Sequence, residues 1–428
     1  MDTIFALATA PGKSGVAVVR ISGPQAFLVA ERLTGKPLSG RGMHHHMLRA
    51  ADGSILDDAL VLSFVGPASF TGEDSVELQI HGSLAVVNAV SHELVTMGLC
   101  RIAEPGEFTR RSLENGKMDL VQVEGLADLI EAETETQRRQ AQKILAGQLG
   151  RRVEEWRASL VKAASLIEVT IDFSDEDVPF DVSDEVRELL LSIRSNLNEE
   201  SKNATRSERV RSGFEAAIVG EPNAGKSTLL NALAGREAAI TSQVAGTTRD
   251  VIEVRMDLGG LPVTVLDTAG IRNTDDTVEK IGVDRAQHRA NLADIRIFLS
   301  EHPAELGVAI KEGDVHVLPK GDMRGNEVGS VSGVTGHGVD TLIQRVVAEL
   351  STRVPNSGVA TRFRHMAAMQ EADGFLGSAL QQLELGPERY ELVAEEIRSA
   401  IRCLEILVGR IDVENLLDEI FSSFCLGK

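Results

Sequence analysis

The sequence predicts a multidomain protein of mixed α+β and α/β class: an N-terminal α+β domain, then an all-helical domain interrupted by an inserted α/β block. Three observations carry this. The chain has 428 residues, more than one hydrophobic core organises, which fits two to four domains. The apolar period changes from that of strands to that of helices at Asp119. A strand–loop–helix pattern then opens at Phe214 inside otherwise helical sequence.

Residues 1–118 mix short β-like runs with turns. Val16–Ile21 is apolar and β-branched and stops at Ser22-Gly-Pro24. Ala59–Val65 and Ser75–Ile80 read as strands, the second with clean alternation, and Ser83–Met97 reads as a helix closed by Gly98. From Asp119, Leu120, Val123, Ala127 and Ile130 share one helical face, and helical patterning continues to about Val169. The acidic loop Asp172–Phe180 intervenes before a helix over about Asp184–Val210. Helices return from about Thr361, after Pro355-Asn-Ser-Gly358, a suitable exit linker. The expected organisation is 1–118 for the α+β domain, 119–213 and 353–428 for the two parts of the helical domain, and 214–352 for the insert. Insertion of this kind is tolerated where the ends of the insert lie close together.

Composition narrows the function classes. Lys plus Arg is 44 against 64 Asp plus Glu, a formal net charge of −20. Phosphate contact wants a basic face, so a stand-alone nucleic-acid binder is disfavoured and a partner is expected to supply much of any RNA-binding surface. Aromatics make up 4%, so the cores must be built from Leu, Val, Ile and Ala. No apolar run is long enough to span a membrane, and the start has neither a basic n-region nor an Arg-rich amphipathic run. Cys100, Cys403 and Cys425 are odd in number and far apart, which fits neither a disulfide framework nor a zinc knuckle. The expectation is a cytoplasmic protein. His44-His-His46 has no accompanying metal-ligand pattern and reads as a solvated loop; Asp172–Asp177 lacks the spacing of a calcium loop.

The strongest local signal is Gly220-Glu-Pro-Asn-Ala-Gly225-Lys226-Ser227, which follows the apolar strand Ala216–Val219 and opens a helix at Thr228. Glycines let the backbone wrap a phosphate with its N–H groups inward, at a helix N-terminus. Asn223, Ala224, Gly225, Lys226, Ser227 and Thr228 are therefore nucleotide-binding candidates. Lys226 would face the β- and γ-phosphates and Ser227 would offer a hydroxyl to Mg²⁺. Downstream, the strand Val263–Leu266 ends in Asp267-Thr268-Ala269-Gly270, where Asp267 reaches magnesium through water and the Gly270 N–H meets the γ-phosphate. Between them lies Ala245-Gly246-Thr247-Thr248-Arg-Asp250, in which Thr248 can complete the magnesium shell. In this order the pieces resemble the phosphate- and magnesium-binding elements of Ras-like GTPases.

Base choice should sit at Leu318-Pro319-Lys320-Gly321-Asp322. GTPases usually carry Asn-Lys-x-Asp there. The Asp322 carboxylate can accept hydrogen bonds from guanine N1–H and the 2-amino group, which adenine does not offer. Pro319 replaces the Asn and lacks its side-chain amide. Ser332 begins a following base-side loop, and the stretch from Asp294 to Lys320 is short enough that a helix is expected to be reduced or missing. Ile271 stands where Ras-like proteins place a water-orienting Gln, so another group, with Glu279 as the candidate, must position the water.

Over nearly its whole length the chain resembles the tRNA-modification GTPase family called MnmE or TrmE. The residues that carry the resemblance are Asp2-Thr-Ile4, Val19-Arg-Ile-Ser-Gly23, Glu104-Pro-Gly-Glu-Phe-Thr-Arg110, Asn115-Gly-Lys-Met-Asp-Leu120, Gly220–Ser227, Ala245–Asp250 and the Cys-x-Gly-Lys tail of Phe421–Lys428. The resemblance implies a homodimer through the N-terminal domains. It also implies a flavoprotein partner, MnmG, with which carbon 5 of the wobble uridine of certain tRNAs is modified using a 5-formyl- or 5,10-methylene-tetrahydrofolate. It implies G domains that pair across GTP when potassium is bound. By position, Asn223, Ser242, Val244 and Thr247 match the potassium ligands, within a Ser242–Thr248 segment (Gln243, Ala245 and Gly246 included) that contacts GTP. Glu279 matches the acidic residue that positions water; Arg20, Glu77, Lys117 and Lys428 match the folate ligands. Cys425 is weighed between nucleophile and packing residue, with no nearby base visible in the sequence. Two other readings stay open at this point: a regulatory GTP switch in ribosome assembly without folate chemistry, and a nucleotide-binding scaffold with little turnover.

Overall fold

The structure is a computed structural model that describes residues 2–38, 40–172, 182–235, 252–267, 287–354 and 358–411, with 417, 420, 421, 424 and 427 of the tail. It forms two compact units, 1–127 with 405–428, and 128–404.

The first unit is built on six strands: β1 (Ile4–Leu7), β2 (Ser14–Ser22), β3 (Gly42–Arg49), β4 (Ile55–Phe64), β5 (Ser75–Gly82) and β6 (Arg101–Ile102), in the order β3-β4-β5-β2-β1-β6. Only the β1–β6 pair is parallel. Alternation explains the sheet: Val19 and Ile21 of β2, Val61 of β4 and Leu78 and Ile80 of β5 point to one face. There α1 (Ala26–Thr34) and α2 (Leu84–Thr96) cover them with Val29, Leu33, Val90 and Leu94. Ser83 starts α2 by accepting the Val86 N–H at 3.2 Å.

The His44–His46 run is not the loop expected from sequence. It lies in edge strand β3, paired antiparallel with Ala59–Val61 of β4. The sequence hides this because the strand is exposed for most of its length and Leu48 alone of its residues is buried. α3 (Glu107–Glu114) carries a buried charge network. The Arg111 guanidinium bonds Asp2 at 2.8 Å, Glu107 at 2.9 Å and Glu73 at 3.2 Å, which satisfies a cation that would be costly if unpaired. Burial alone would raise the Glu107 carboxyl. Hydrogen bonds from Arg101, the Glu104 N–H and Arg111 outweigh burial and hold its pKa below the ordinary value.

The helical sequence after Asp119 is three helices: α4 (Leu120–Glu131), α5 (Glu135–Leu145) and α6 (Gln148–Asp172). Leu120 and Val123 are buried as expected, but Ile130 is 40% exposed. Thr134 and Gln137 form a capping box at the start of α5. α7 (Ser183–Ser212) then leads through Gly213 into the α/β block. After the block the chain returns along α7. Gly358 sits beside Asn203 and Ser207, and α10 (Phe363–Glu384) and α11 (Tyr390–Leu407) follow. The buried Glu200 of α7 fixes the return. One oxygen accepts the Val359 and Ala360 N–H groups at 2.5 and 2.9 Å, and the other pairs with Arg152.

Among the described residues the block holds a five-stranded sheet of β7 (Phe214–Gly220), β8 (Ile252–Leu258), β9 (Leu261–Asp267), β10 (Ile295–Leu299) and β11 (Val315–Val317), in the order β11-β10-β7-β9-β8. Only β8 runs antiparallel. α8 (Lys226–Ala234) and α9 (Val339–Ser351) pack on one face through Leu229, Leu233, Leu342 and Val346. The expected shortening is real. Between β10 and β11 the only described helical turn is the four-residue 3-10 turn Pro303–Leu306. In its place a fully buried ion pair holds the connection: Arg296 Nη2 meets Asp314 at 2.8 Å, and the same carboxylate accepts the Arg296 and Lys311 N–H groups at 3.0 and 2.7 Å.

Replacing Glu200 with Ala strands two buried N–H groups and the Arg152 charge. It should cost about 3 kcal/mol, read as a lower urea midpoint of the full chain, with Glu200→Gln losing less. An unchanged midpoint for Glu200→Ala would remove this clamp.

Candidate functional site

The phosphate loop follows from strand geometry. β7 lies between β9 and β10, so its C-terminal end opens at the carboxyl edge of a parallel sheet, where such folds bind ligands. Gly220 is required there, because a Cβ would stand 2.6 Å from the Leu299 carbonyl oxygen. The chain then turns through Asn223 at φ 60° and Gly225 at φ 97°, both left-handed, and enters α8 at Lys226. Lys226 is buried, and its Nζ donates to the carbonyls of Gly220 and Glu221 at 2.9 Å each. The loop is thus curled around its own lysine.

Ser227 and Asp267 come together as expected. The Ser227 hydroxyl donates to Asp267 Oδ2 at 2.6 Å. Asp267 is 2% exposed and its Oδ1 has no hydrogen-bond partner among the described residues. A buried carboxylate oxygen beside a hydroxyl is a pair of hard donors, and such donors fit magnesium.

The base side is assembled from two loops. Lys320 takes a left-handed conformation, φ 55°, and caps the 3-10 turn Gly321–Arg324, which carries Asp322. The turn is strapped to the next segment by Gly321 N–H to Val331 O at 3.0 Å and Val331 N–H to Leu318 O at 2.9 Å. Ser332 is buried, and its hydroxyl accepts the Val334 and Thr335 N–H groups at 3.3 Å. Gly333 lies on α8, where a Cβ would stand 2.6 Å from Thr228 O and 2.7 Å from Leu229 N. A cleft of about 230 Å³ results, lined by Asn223, Gly225, Thr228, Lys320, Asp322 and Ser332 among others. Residues spread over more than a hundred positions therefore meet at one opening. The candidates Ser242, Gln243, Val244, Ala245, Gly246, Thr247, Thr248, Thr268, Ala269, Gly270 and Glu279 lie outside the described residues.

In the other unit Arg20 and Glu77 are cross-strand neighbours on β2 and β5, joined at 2.9 Å. The Arg20 guanidinium also lies over the rings of Phe70 and Phe108, 5.1 and 5.7 Å from their centroids. Lys117 reaches the same neighbourhood: its stem packs against Gly72, while Asn115 and Ser112 bond the carbonyls of Thr71 and Phe70. The tail approaches too. A Cβ on Gly427 would stand 2.2 Å from the Leu7 carbonyl, and Leu7 is one residue from Ala6, the register partner of Arg20. Cys425 and Lys428 lie outside the described residues.

The sequence reading missed Phe70 and Phe108, and it missed β8. The Gly259-Gly260 pair between two alternating runs was the available hairpin signal. Glu301 and Arg324, joined beside the Lys320–Asp322 loop, and Ser300, which bonds Glu221 of the phosphate loop, had no motif to betray them.

A phosphate loop at the carboxyl edge of this sheet, a strand-end Asp on its serine and a Lys-Gly-Asp base loop in one cleft define a P-loop GTPase of Ras-like type. Residues 3–117 match the model for the GTP-binding protein TrmE N-terminus, and residues 120–425 match that for the MnmE helical domain. Proteins named tRNA modification GTPase MnmE from Ruegeria sp. (strain TM1040) and Ruegeria pomeroyi are each 60% identical over the whole of both chains. That from Roseobacter denitrificans is 57% identical over the same extent. The chain belongs to the MnmE family. Among solved structures, Era of Aquifex aeolicus matches at 23% identity and TM-score 0.27, covering 38% of this chain and 66% of that one.

Gly333→Ala should push the Ser332 loop off α8. Overpacking of this kind costs about 1–3 kcal/mol, and guanine-nucleotide affinity should fall on the order of tenfold, measured by calorimetry. Unaltered affinity would show that this loop does not line the occupied site.

Proposed function

We propose that this protein is a GTP hydrolase acting in tRNA modification, in which nucleotide turnover by the α/β block is coupled to chemistry at the wobble uridine. The observation that carries the reading is the single cleft in which the phosphate loop, Asp322 and Ser332 converge. The matched family and the name its relatives share support the same reading.

For hydrolysis, Lys226 would exchange its two carbonyl partners for phosphate oxygens, and the N–H groups of Asn223–Thr228 would cradle the phosphates. Ser227 and Thr248 would hold magnesium directly and Asp267 through water; the ion supplies charge neutralisation at the β- and γ-phosphates. Asn223, with Ser242, Val244 and Thr247, would hold potassium, a fixed positive charge where other GTPases use an arginine. Glu279 orients the attacking water, since Ile271 has no polar group to do so. Asp322 accepts from guanine N1–H and the 2-amino group, Lys320 lies along the base, and Ser332 fixes the loop behind it.

The N-terminal unit would bind a reduced folate, 5-formyl- or 5,10-methylene-tetrahydrofolate. Glu77 offers an acceptor to the pterin N–H edge, Phe70 and Phe108 offer flat apolar faces, and Arg20, Lys117 and Lys428 offer cations to the glutamate tail. The close seating of Gly427 against Leu7 supports a tail that reaches this site. We further propose a cytoplasmic homodimer joined through residues 1–118, with the helical domain split as 119–213 and 353–428 around a G domain of 214–352. The flavoprotein MnmG would be the partner that brings most of the tRNA-binding surface, consistent with a chain of net charge −20.

GTP hydrolysis should run faster in KCl than in NaCl, and Asn223→Ala should erase the difference; equal rates in the two salts would end the potassium mechanism. Mass spectrometry of tRNA from cells lacking the protein should show an unmodified wobble uridine. A complementing copy carrying Glu77→Ala should leave it unmodified, and full restoration by that copy would remove Glu77 from the folate site.

A further inference from the structure

Proline at 319 has no side-chain donor or acceptor and no N–H, so the base loop needs another brace to its surroundings. It is a demanding loop to hold. Lys320, Gly325 and Asn326 are all left-handed, at φ 55°, 63° and 60°; glycine and asparagine tolerate this conformation, whereas the Lys320 side chain disfavours it. Asp322 rides on a 3-10 turn of only four residues, where a full helix would have supplied stiffness.

We infer that Arg324 is a positioning residue for Asp322, taking over the bracing that Pro319 cannot provide. The inference rests on the guanine-nucleotide reading above. Arg324 Nε donates to the Pro319 carbonyl at 2.9 Å, closing the loop on its own first residue. Its Nη2 pairs with Glu301, just beyond the end of β10. Next to Glu301, the buried Ser300 donates through its hydroxyl to Glu221 Oε1 at 3.4 Å. Glu221 is the second residue of the phosphate loop, and its carbonyl holds Lys226. Base loop and phosphate loop are thereby tied through Arg324, Glu301 and Ser300. A planar guanidinium can hold the carbonyl and the carboxylate at once in fixed directions; an ammonium cannot fix both.

The side chains of Arg324 and Glu301 are 31% and 49% exposed. A pair that open to water adds little to global stability, so its removal should appear in base discrimination and not in unfolding. Inosine lacks the 2-amino group that Asp322 accepts, which makes GDP against IDP the direct readout. Calorimetry on the full chain would compare the two nucleotides for the native protein, Arg324→Ala, Arg324→Lys, Glu301→Gln and, as reference, Asp322→Asn.

The native protein should prefer GDP by roughly ten- to a hundredfold, the worth of a hydrogen bond to a carboxylate. Arg324→Ala should bring that ratio most of the way to the Asp322→Asn value at an unchanged melting temperature. Arg324→Lys and Glu301→Gln should fall between. A native-like GDP/IDP ratio in Arg324→Ala overturns the positioning role, as does a ratio that falls only together with the melting temperature in all three variants. A native protein that binds GDP and IDP alike overturns the guanine reading itself and takes this inference with it.

Discussion

The hydrogen bond from Ser227 to Asp267 is the contact from which the nucleotide site is laid out. It joins the first turn of α8 to the last residue of β9, and so ties the phosphate loop to the Asp267 carboxylate. Its geometry depends on parallel pairing: β7 brings the loop to the sheet edge, and β9 delivers Asp267 opposite Ile218 in register. The other carboxylate oxygen of Asp267 is buried without a hydrogen-bond partner among the described residues.

The same economy shapes the far side of the cleft. Helical turns that would stiffen the connections after β10 and β11 are reduced to four residues each. Ion pairs do the holding instead, Arg296–Asp314 in the interior and Arg324–Glu301 at the rim. The interior pair is satisfied on every side by backbone groups, as a buried charge must be. The rim pair is directional and solvent-accessible, suited to aiming a loop more than to holding a fold together.

Much of this was legible in the sequence, and the parts that were not share a physical reason. Gly220, Lys226 and Ser227 sit in a motif whose spacing is dictated by the phosphate group, and Asp267 ends an apolar strand, so their meeting could be read from motif and strand together. Strand β5 declared itself by alternation, strand β2 by an apolar, β-branched run that stops at Ser22-Gly-Pro24, and helix α2 by the Gly98 that closes it. β3 did not, because an edge strand exposed along most of its length has no apolar alternation to show. Ile130 followed its helix's apolar face in sequence yet lies one residue from the helix end and is exposed. Phe70, Phe108, Ser300, Glu301 and Arg324 act through contacts between distant segments, and nothing local distinguishes them from ordinary core or surface residues.

The Glu200 clamp has a consequence for how this chain tolerates change. The return segment lies along α7, with Gly358 beside Asn203 and Ser207, within three turns of the helix end at Ser212. Departure and arrival of the inserted block are therefore stapled to one helix, and the block hangs from the bundle as a closed bight. Residues can be trimmed or spliced inside such a bight without altering the distance its ends must span. A bundle held in this way is indifferent to the length of what it carries.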